Sequence, residues 1–477
     1  MTKTINRRKF ISNSLYVVLG GLFFDGCNVF TNKKEDIIVI GAGIAGLAAA
    51  SKLSLSGYNV TVLEARDRIG GRIHTVDFNG FKMDAGASWI HGTDGNPLYS
   101  FSRENKISTV ATFDDPSYLY DFDSSEITED DWAAVKKNLD FLFDESLKNP
   151  NIPLKELAIQ TEAKLNLSDK ERRLFYGAVR TEVEIPYAED SNDLSSNVLN
   201  SDDSFPGNNV LFPGGMSQII NKLASGLNII KNTFVTDIQY YSNKVEVFVT
   251  DYSSIEKKRS CHACHGNKDA TKLISGKSYK ADKIVVALPL GMLKNEIVTF
   301  HPELPSIKKD SINNTAIGTM NKVFLYFEKS FWPKDGYFIE YFKNNASEMM
   351  IYESYAPIGN KNVLIVFLAG KQARKIEKMN IDATRDMVIS DLRKIYGSSI
   401  PNPTNIYKTG WHTDPFVLGS YPHIPPGSKL SDCDKIGYSI DNKIFFAGDS
   451  TISNYLATAH GAYISGIKAA NEIIRNR

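Results

Sequence analysis

The first residues with clear chemical potential form the run Gly41–Gly46, which has glycine at its first, third and sixth positions. The run follows a β-branched segment, Asp36–Ile40, that is typical of a buried strand, and it precedes a segment of helical composition. In such a unit Gly41 makes the tight turn, Gly43 lets the backbone approach a pyrophosphate, and Gly46 allows helix and strand to pack closely. The spacing therefore predicts a dinucleotide-binding site.

A carboxylate follows the second strand of this unit. Asn59–Leu63 is a second β-branched run, and Glu64 comes directly after it, eighteen residues beyond Gly46. An acidic side chain at this distance accepts hydrogen bonds from the adenosine ribose. The first helical turn, around Ala45, supplies N–H donors and a positive dipole end for the phosphates. This context makes the signal specific for a dinucleotide, but it does not distinguish NAD from FAD.

The stretch after Glu64 separates these two cofactors. Its sequence, Ala65-Arg66-Asp67-Arg68-Ile69-Gly70-Gly71-Arg72, resembles the segment that follows the ribose carboxylate in flavin-containing amine oxidases. The resemblance implies bound FAD, with Ala65 and Arg66 near the ribose and with Gly70 and Gly71 along the diphosphate. It also implies that Arg72 is a phosphate ligand, since guanidinium groups bind phosphate in bidentate geometry. The alternative for either arginine is a surface charge.

Further blocks between residues 36 and 470 resemble the polyamine oxidase and histone lysine demethylase branch of the same family. They are Asp84–Gly92, Phe212–Met216, Phe234–Ile238, Ala281–Pro289, Ile444–Asp449 and Ala457–Ala462. The resemblance implies that Val235 lies at the adenine and Asp449 at the ribityl chain. The full set of further FAD contacts that it implies is Gly86, Ala87, Ser88, Trp89, Val235, Trp411, Gly448, Asp449, Ala457 and Thr458.

A single lysine stands out in an otherwise apolar, alternating strand. Lys322 lies in the run with Val323, Leu325 and Phe327, so burial would force it to find a partner or to lose its proton. The matching strand of the family carries a lysine that holds a water beside flavin N5. The resemblance therefore implies a catalytic role for Lys322, and a lysine that extends to solvent from an edge strand is the alternative.

Two further catalytic candidates follow from the resemblance. Ser420 stands where monoamine oxidases have a cysteine bonded to the flavin, and serine cannot form that thioether, so FAD is expected to be non-covalent. Tyr421 would form one wall of the aromatic slot that orients the amine. Thr458 takes the place of the opposite wall, which leaves the slot half open. Core packing of Tyr421 is the alternative.

The expected substrate contacts are His91 and Glu184, which match positions that face the cavity in several polyamine oxidases. Either side chain could hold a distal ammonium or its hydrogen-bonding partners. Either could equally be a satisfied or solvated polar group. The block Asp84–Gly92 contains no arginine, which argues against amino-acid oxidases, since these need a cation for the substrate carboxylate.

An insertion at 251–278 departs from the family pattern. It lies between expected strands Val245–Thr250 and Tyr279–Val286 and contains Cys261, Cys264 and His265 in a CxxCH motif. This is the attachment pattern of haem c. The short, polar loop without a methionine argues against haem, but haem stays open beside a Cys261–Cys264 disulfide, a surface metal site or no role.

The first thirty residues predict a signal peptide. Paired Arg7 and Arg8 precede a nearly uncharged run, Ile11–Phe24, that is shorter than the ~20 residues of a membrane-spanning helix. This twin-arginine pattern favours export to the periplasm or cell envelope. An ordinary anchor helix is the alternative, and lipidation of Cys27 is a further possibility.

The order of the blocks predicts a mixed α/β fold. A discontinuous Rossmann-type FAD-binding domain is expected at 36–105, 205–300 and 425–477. A substrate-binding domain of antiparallel sheet plus helices is expected at 106–204 and 301–424, with helices at Asp130–Leu147 and Leu154–Leu165. Lys plus Arg and Asp plus Glu both number 55, so no net charge favours nucleic acid.

The leading hypothesis is an FAD-dependent oxidase of polyamines or other aliphatic amines, with small-molecule amine and oxygen as its partners. The resemblance implies hydride transfer to flavin N5, hydrolysis of the imine and production of hydrogen peroxide. One alternative is an exported flavin dehydrogenase that passes electrons to a haem or an external acceptor. Another is an FAD-binding protein without turnover.

Overall fold

The computed structural model describes residues 34–113, 117–200, 205–241, 243–251, 277–359 and 361–476. The predicted signal segment with Cys27, and the CxxCH motif with Cys261, Cys264 and His265, lie outside the described residues. Their predicted roles therefore stay predictions.

In the described residues the strands form a five-stranded parallel sheet, a four-stranded and a six-stranded mixed sheet, and three two-stranded sheets. In chain order they are β1 Asp36–Ile40, β2 Asn59–Leu63, β3 Thr75–Phe78, β4 Phe81–Asp84, β5 Val110–Thr112, β6 Ser117–Tyr120, β7 Asn209–Leu211, β8 Asn228–Ile230, β9 Phe234–Gln239, β10 Val245–Thr250, β11 Lys277–Ala281, β12 Lys283–Val286, β13 Thr299–His301, β14 Ala316–Ile317, β15 Met320–Tyr326, β16 Phe338–Tyr341, β17 Ile351–Ser354, β18 Val363–Ala369, β19 Asn405–Lys408, β20 Pro422–His423 and β21 Ile444–Phe446.

The α-helices vary from single turns to five turns. In chain order they are α1 Ile44–Leu55, α2 Pro97–Glu104, α3 Glu129–Lys148, α4 Leu154–Leu165, α5 Asp169–Val179, α6 Ser217–Leu223, α7 Leu290–Lys294, α8 Ser306–Asn314, α9 Gly370–Glu377, α10 Ile381–Tyr396, α11 Ser431–Ile436 and α12 Ala459–Arg475. A π-helical turn, Arg180–Glu184, continues α5. Short 3₁₀ helices of the described residues include Ser196–Asn200 and Ala346–Glu348.

The parallel sheet has the strand order β21-β12-β1-β2-β8, and it gathers segments from widely separated parts of the chain. Its central strands are β-branched runs buried on both faces, as parallel sheets require. Helices α1 and α12 pack together on one side, and α12 turns small residues toward α1. A Cβ on Gly466 would lie 2.1 Å from the Ala45 carbonyl oxygen, so this close approach depends on glycine.

The expected single strand Tyr279–Val286 is wrong, because the chain changes sheets at Asp282. Strand β11 pairs antiparallel with β10 in a four-stranded sheet, whereas β12 pairs parallel with β1. The Asp282 side chain accepts a hydrogen bond from the Asp36 backbone N–H at 2.9 Å, which fixes the break. The run Tyr279–Val286 therefore contains a junction between two sheets.

A six-stranded sheet, β19-β15-β18-β17-β16-β6, forms the second large layer. Neighbouring strands are antiparallel except β16 and β6, which are parallel. Its strand β18 is apolar throughout and wholly buried. In register across the sheet, Lys322 pairs with Phe367, and Phe367 pairs with Ile351. Lys322 thus lies on an interior strand rather than an edge.

The helical layer beside this sheet agrees with the sequence pattern. Helix α3 begins one residue before and ends one residue after the expected range, because Thr128 forms a capping box with Asp131. Helix α4 has the bounds that were expected. Within the described ranges, none of the helices combines the length and the apolar character needed to cross a membrane.

Candidate active site

The glycine-rich turn forms a cradle that is open on one side. Gly41 has φ +101°, its N–H donates to the Leu63 carbonyl at 2.8 Å, and a Cβ there would lie 2.7 Å from the Ala287 oxygen. A Cβ on Gly43 would meet no described atom within 4 Å. Gly43 is also the N-cap of α1, where no side chain of the described residues caps the helix. The first turn of α1, which includes Ala45 and Gly46, can therefore receive a phosphate.

Glu64 lies at the end of β2 beside this turn. Its two carboxylate oxygens accept hydrogen bonds from the backbone N–H groups of Ala42 and Arg66, each at 2.8 Å. Burial raises the pKa of Glu64, and the two backbone donors oppose that rise. Half-buried Ala65 follows directly. The Glu64 carboxylate is thus bonded to Ala42 of the glycine-rich turn, a position that suits the binding of a ribose.

The double glycine comes next to the cradle, and the following arginine has a partner that the sequence did not predict. The Gly70 N–H donates to the Ala42 carbonyl at 2.8 Å, and a Cβ on Gly71 would lie 3.5 Å from Gly43 Cα. Arg72 binds Asp449 in bidentate geometry at 2.6 and 2.7 Å. Two of the expected FAD contacts, Arg72 and Asp449, are therefore bonded to each other, although they are far apart in sequence.

Arg66 points to a different partner. Its guanidinium binds both oxygens of Asp414 at 2.6 and 2.7 Å and lies 4.5 Å from the centre of the Phe416 ring. The side chain is mostly buried. Neither partner was predicted, because nothing in the local sequence links residue 66 to the segment around residue 414.

Lys322 is buried at the junction between the six-stranded sheet and the Asp84–Trp89 segment. Its ammonium donates to the carbonyl oxygens of Asp84 and Gly86, at 2.9 and 2.8 Å, and to Ser88 Oγ. Burial lowers the pKa of Lys322 to about 8. Three acceptors for three protons fit the charged ammonium.

Aromatic rings surround this lysine. Nζ lies 5.6 Å from the centre of the Trp89 ring and 5.5 Å from that of Phe367. Trp89 in turn stacks on His91, with ring centres 6.4 Å apart and an interplanar angle of 22°. The Trp89 ring is therefore next to both Lys322 and His91.

The Asp84–Trp89 segment also contacts two other predicted regions. A Cβ on Gly86 would lie 1.8 Å from the Arg72 carbonyl oxygen, and the Ala87 N–H donates to that oxygen at 3.1 Å. Buried Trp411 donates from Nε1 to the Ala85 carbonyl at 3.2 Å. The Asp84–Trp89 segment thus contacts both the block that contains Arg72 and the block that contains Trp411.

The Ser420–Tyr421 pair is fixed by its neighbours. Ser420 Oγ accepts from the Met320 N–H at 2.7 Å and donates to the Met320 carbonyl at 2.9 Å. The Tyr421 hydroxyl donates to the Pro186 carbonyl at 2.9 Å, and burial raises the pKa of Tyr421. Ser420 also accepts from Arg72 through its carbonyl, at 2.7 Å.

The Thr458 hydroxyl is the N-cap of α12, and its place opposite Tyr421 in a half-open slot stays a prediction. It accepts from the Gly461 N–H at 2.9 Å and donates to the Tyr455 carbonyl at 2.7 Å. Ala457 before it adopts φ +65° and donates its N–H to the Asp449 carbonyl at 3.2 Å. Helix α12 therefore begins beside the Arg72–Asp449 pair.

The last two predicted cofactor contacts lie in the core around the parallel sheet. The Gly448 N–H donates to Ser465 Oγ at 2.9 Å. Val235 is buried in β9 and belongs to the apolar cluster that contains Leu63. Gly448 follows β21 of the parallel sheet, and Val235 lies in β9 of the four-stranded sheet.

Both carboxylate oxygens of Glu184 accept hydrogen bonds from the protein, which agrees with the satisfied polar group that the sequence analysis left open. One oxygen accepts from Arg180 Nη1 at 2.8 Å and the other from the Ser191 N–H at 2.8 Å. Arg180 is almost fully buried and also binds Asp190 at 3.1 Å. The charge of Glu184 thus balances a buried arginine within the fold, and its contact with a substrate ammonium stays a prediction.

Sequence reasoning missed Glu353, which is buried on the same face of the six-stranded sheet as Lys322. The signal that singled out Lys322, one charged residue in an apolar alternating strand, was present here too. In the described part of the chain, no group of three or more His, Cys, Asp or Glu could hold a metal ion.

Comparison with known proteins agrees with this geometry. Residues 44–474 match the family described as flavin containing amine oxidoreductase. The chain is 29% identical to probable polyamine oxidase 4 of Arabidopsis thaliana over 93% of this chain and 88% of that protein. It is 31% identical to lysine-specific histone demethylase 1 homolog 2 of the same plant, over 92% of this chain and 58% of the relative.

A solved structure of putrescine oxidase bound to putrescine superposes with a TM-score of 0.73. The superposition covers 93% of this chain and 99% of that one, at 18% identity. This likeness shows the mixed α/β fold that the sequence predicted.

Proposed function

The chain belongs to the flavin containing amine oxidoreductases, and on that premise we propose that it oxidises polyamines or other aliphatic amines with non-covalent FAD. The family makes it a flavin-dependent amine oxidase. The observation that carries the finer proposal is the buried Lys322 ammonium, bonded to the Asp84–Trp89 segment and flanked by aromatic rings.

The residues of the cradle fit FAD. Open space in front of Gly43, the uncapped start of α1 and the carboxylate of Glu64 suit a pyrophosphate and a ribose. Bound FAD supplies the acceptor for a hydride equivalent from the amine α-carbon, and oxygen is the final acceptor that yields hydrogen peroxide. The Arg72–Asp449 ion pair joins two segments that would lie beside the flavin.

The chain's own groups then orient the amine and exclude water. A free aliphatic amine has a pKa close to that of lysine, about 10.4, so it is mostly protonated near neutral pH and must lose a proton before it can be oxidised. Tyr421, held by the Pro186 carbonyl, offers a fixed ring wall for the amine. Lys322 donates its three Nζ protons to the Asp84–Trp89 segment and so holds that segment in place beside the six-stranded sheet. The resulting imine leaves and hydrolyses.

The experiment is an anaerobic titration of the purified holoenzyme with a panel of amines. We expect linear diamines and polyamines to bleach the visible flavin absorbance faster than monoamines of matched length. Amino acids should fail, since the Asp84–Gly92 stretch contains no arginine for a carboxylate. No bleaching by any amine, with FAD bound, would contradict the proposal.

Non-covalent attachment has its own test. Ser420 cannot form a thioether, and its hydroxyl is engaged by the Met320 backbone. We expect acid precipitation to release all of the flavin into the supernatant. Colour that stays in the protein pellet would contradict non-covalent binding.

A further inference from the structure

Glu353 is a buried carboxylate without an evident structural partner. Only 1% of its surface is exposed, and Oε2 accepts no hydrogen bond from any described residue. The side chain lies in an apolar cluster with Phe324, Ile365 and Phe367 on one face of the six-stranded sheet. Burying an ionised group in such a place is strongly unfavourable unless a compensating charge is near.

The charged groups on this face leave one candidate for that compensation. Asp84 is already bonded to Thr75 Oγ1 at 2.6 Å and to the Met216 N–H at 3.0 Å. The other neighbours are Glu340 on the same face, Tyr355 after β17, and half-buried Lys361, which lies 5.6 Å from the centre of the Tyr355 ring. Within the described residues Lys361 forms no ion pair with Glu353, and neither the Glu340 carboxyl nor the Tyr355 hydroxyl can supply a positive charge.

Lys322 and Glu353 point from the same sheet face, two strands apart. Lys322 pairs in register with Phe367, and Phe367 pairs with Ile351, which lies two residues before Glu353 on β17. Alternate residues of a strand share a face, so both side chains lie on the side of the sheet that carries Phe367. The attraction of each charge for the other opposes the effect of burial on both pKa values.

We propose that Glu353 is a positioning residue that acts as the counter-charge of Lys322 and thereby sets the proton state of that lysine. The inference rests on the proposed function only for its effect on catalysis. Three acceptors around Nζ require an ammonium with three protons, and the nearby carboxylate keeps that ammonium charged in a dry site.

The first test is the pH profile of flavin reduction in the holoenzyme. Glu353→Gln removes the attraction that favours the charged lysine, so the apparent pKa near 8 should fall by about one unit or more. Glu353→Asp should move it less, and Glu340→Gln is the matched control on the same face. An unchanged apparent pKa in Glu353→Gln would overturn the proposal.

The second test does not depend on activity. Thermal unfolding of the wild type, Glu353→Gln, Lys322→Met and the double variant is followed at about pH 6 and about pH 9. Lys322→Met leaves an uncompensated buried carboxylate, whose folded pKa is raised, so its Tm should fall further as pH rises. Adding Glu353→Gln should restore part of that loss.

The two tests separate the possible failures. Strictly additive changes in Tm at both pH values would overturn the pairing, even if amines are oxidised. A restored Tm with no amine oxidation would support the pairing and contradict the proposed function instead. If Glu353→Gln does not fold, Glu353→Asp carries the first test, with a smaller shift in the same direction, and an unchanged apparent pKa there would overturn the proposal.

Discussion

At the residue scale, Lys322 has two roles: it is the proposed catalytic lysine, and it bonds the six-stranded sheet to the Asp84–Trp89 segment. Lys322→Met removes three hydrogen bonds to the Asp84–Trp89 segment but touches neither the glycine cradle nor Glu64. We expect FAD to stay bound, while flavin reduction or reoxidation slows by roughly 10²-fold or more, the usual contribution of a positioned acid or base. Stopped-flow absorbance measures both half-reactions.

Lys361→Met is the control for that variant, because Lys361 lies near the same sheet face without a bond to the segment. It should leave both rates close to those of the wild type. Identical half-reactions in Lys322→Met and the wild type would contradict the assigned role.

Glu184 gives a second prediction at this scale. Glu184→Gln weakens the pair with buried Arg180, so we expect the free energy of unfolding to fall by about 1–3 kcal/mol. Because this effect is structural, kcat/KM should fall by similar factors for monoamines and diamines. Thermal unfolding and steady-state kinetics measure the two quantities.

Glu182 on the same π-helical turn is the matched comparison. Glu182→Gln should cost less stability, since Glu182 is only half-buried. A selective loss of diamine oxidation in Glu184→Gln alone would show that the Arg180 pair opens to admit substrate, contrary to this expectation.

At the element scale, the contact between α1 and α12 holds the cradle in place. Gly466→Ala would push a methyl group into the Ala45 carbonyl, and overpacking of this kind costs about 1–3 kcal/mol. We expect a lower Tm and weaker FAD retention, since Ala45 lies in the first turn of α1. Gel filtration followed by the ratio of flavin to protein absorbance measures retention.

Gly410→Ala is the control, because a Cβ there would make only ordinary contacts, the nearest at 3.5 Å. It should keep both FAD and Tm. Full FAD retention in Gly466→Ala would mean that the helices separate without disturbing the cradle.

Elements whose signals are local could be predicted from the sequence. The strands β1 and β2 have the expected bounds, because β-branched runs and the glycine turn define them within thirty residues. The break at Asp282 could not be predicted, since it depends on which sheet each half joins. The pairs Arg72–Asp449 and Arg66–Asp414 are equally non-local, and only the folded chain brings them together.

At the scale of the whole molecule, buried histidines make stability depend on pH. Burial lowers the pKa of His423 from 6.5 to about 4, so in that interval the unfolded chain binds more protons than the folded one. Stability should therefore be lost as pH falls from about 6.5 to about 4, by up to about 3 kcal/mol from this residue.

His423→Gln tests this expectation, because glutamine does not titrate in that interval. The variant should show a smaller loss of Tm on acidification than the wild type. His412, an exposed histidine, provides the control His412→Gln. An identical acid slope in the His423 variant and the wild type would contradict the assignment.

The packing of α12 on α1 also has a consequence for biosynthesis. The ribosome makes β1, α1 and β2 first, yet these elements depend on β12, β21 and α12, which emerge much later. The nascent chain therefore carries an incomplete cradle through most of translation, and FAD can be captured firmly only after α12 has been made. Loss of residues 444–475 would therefore abolish FAD binding, because it removes β21 and α12 together.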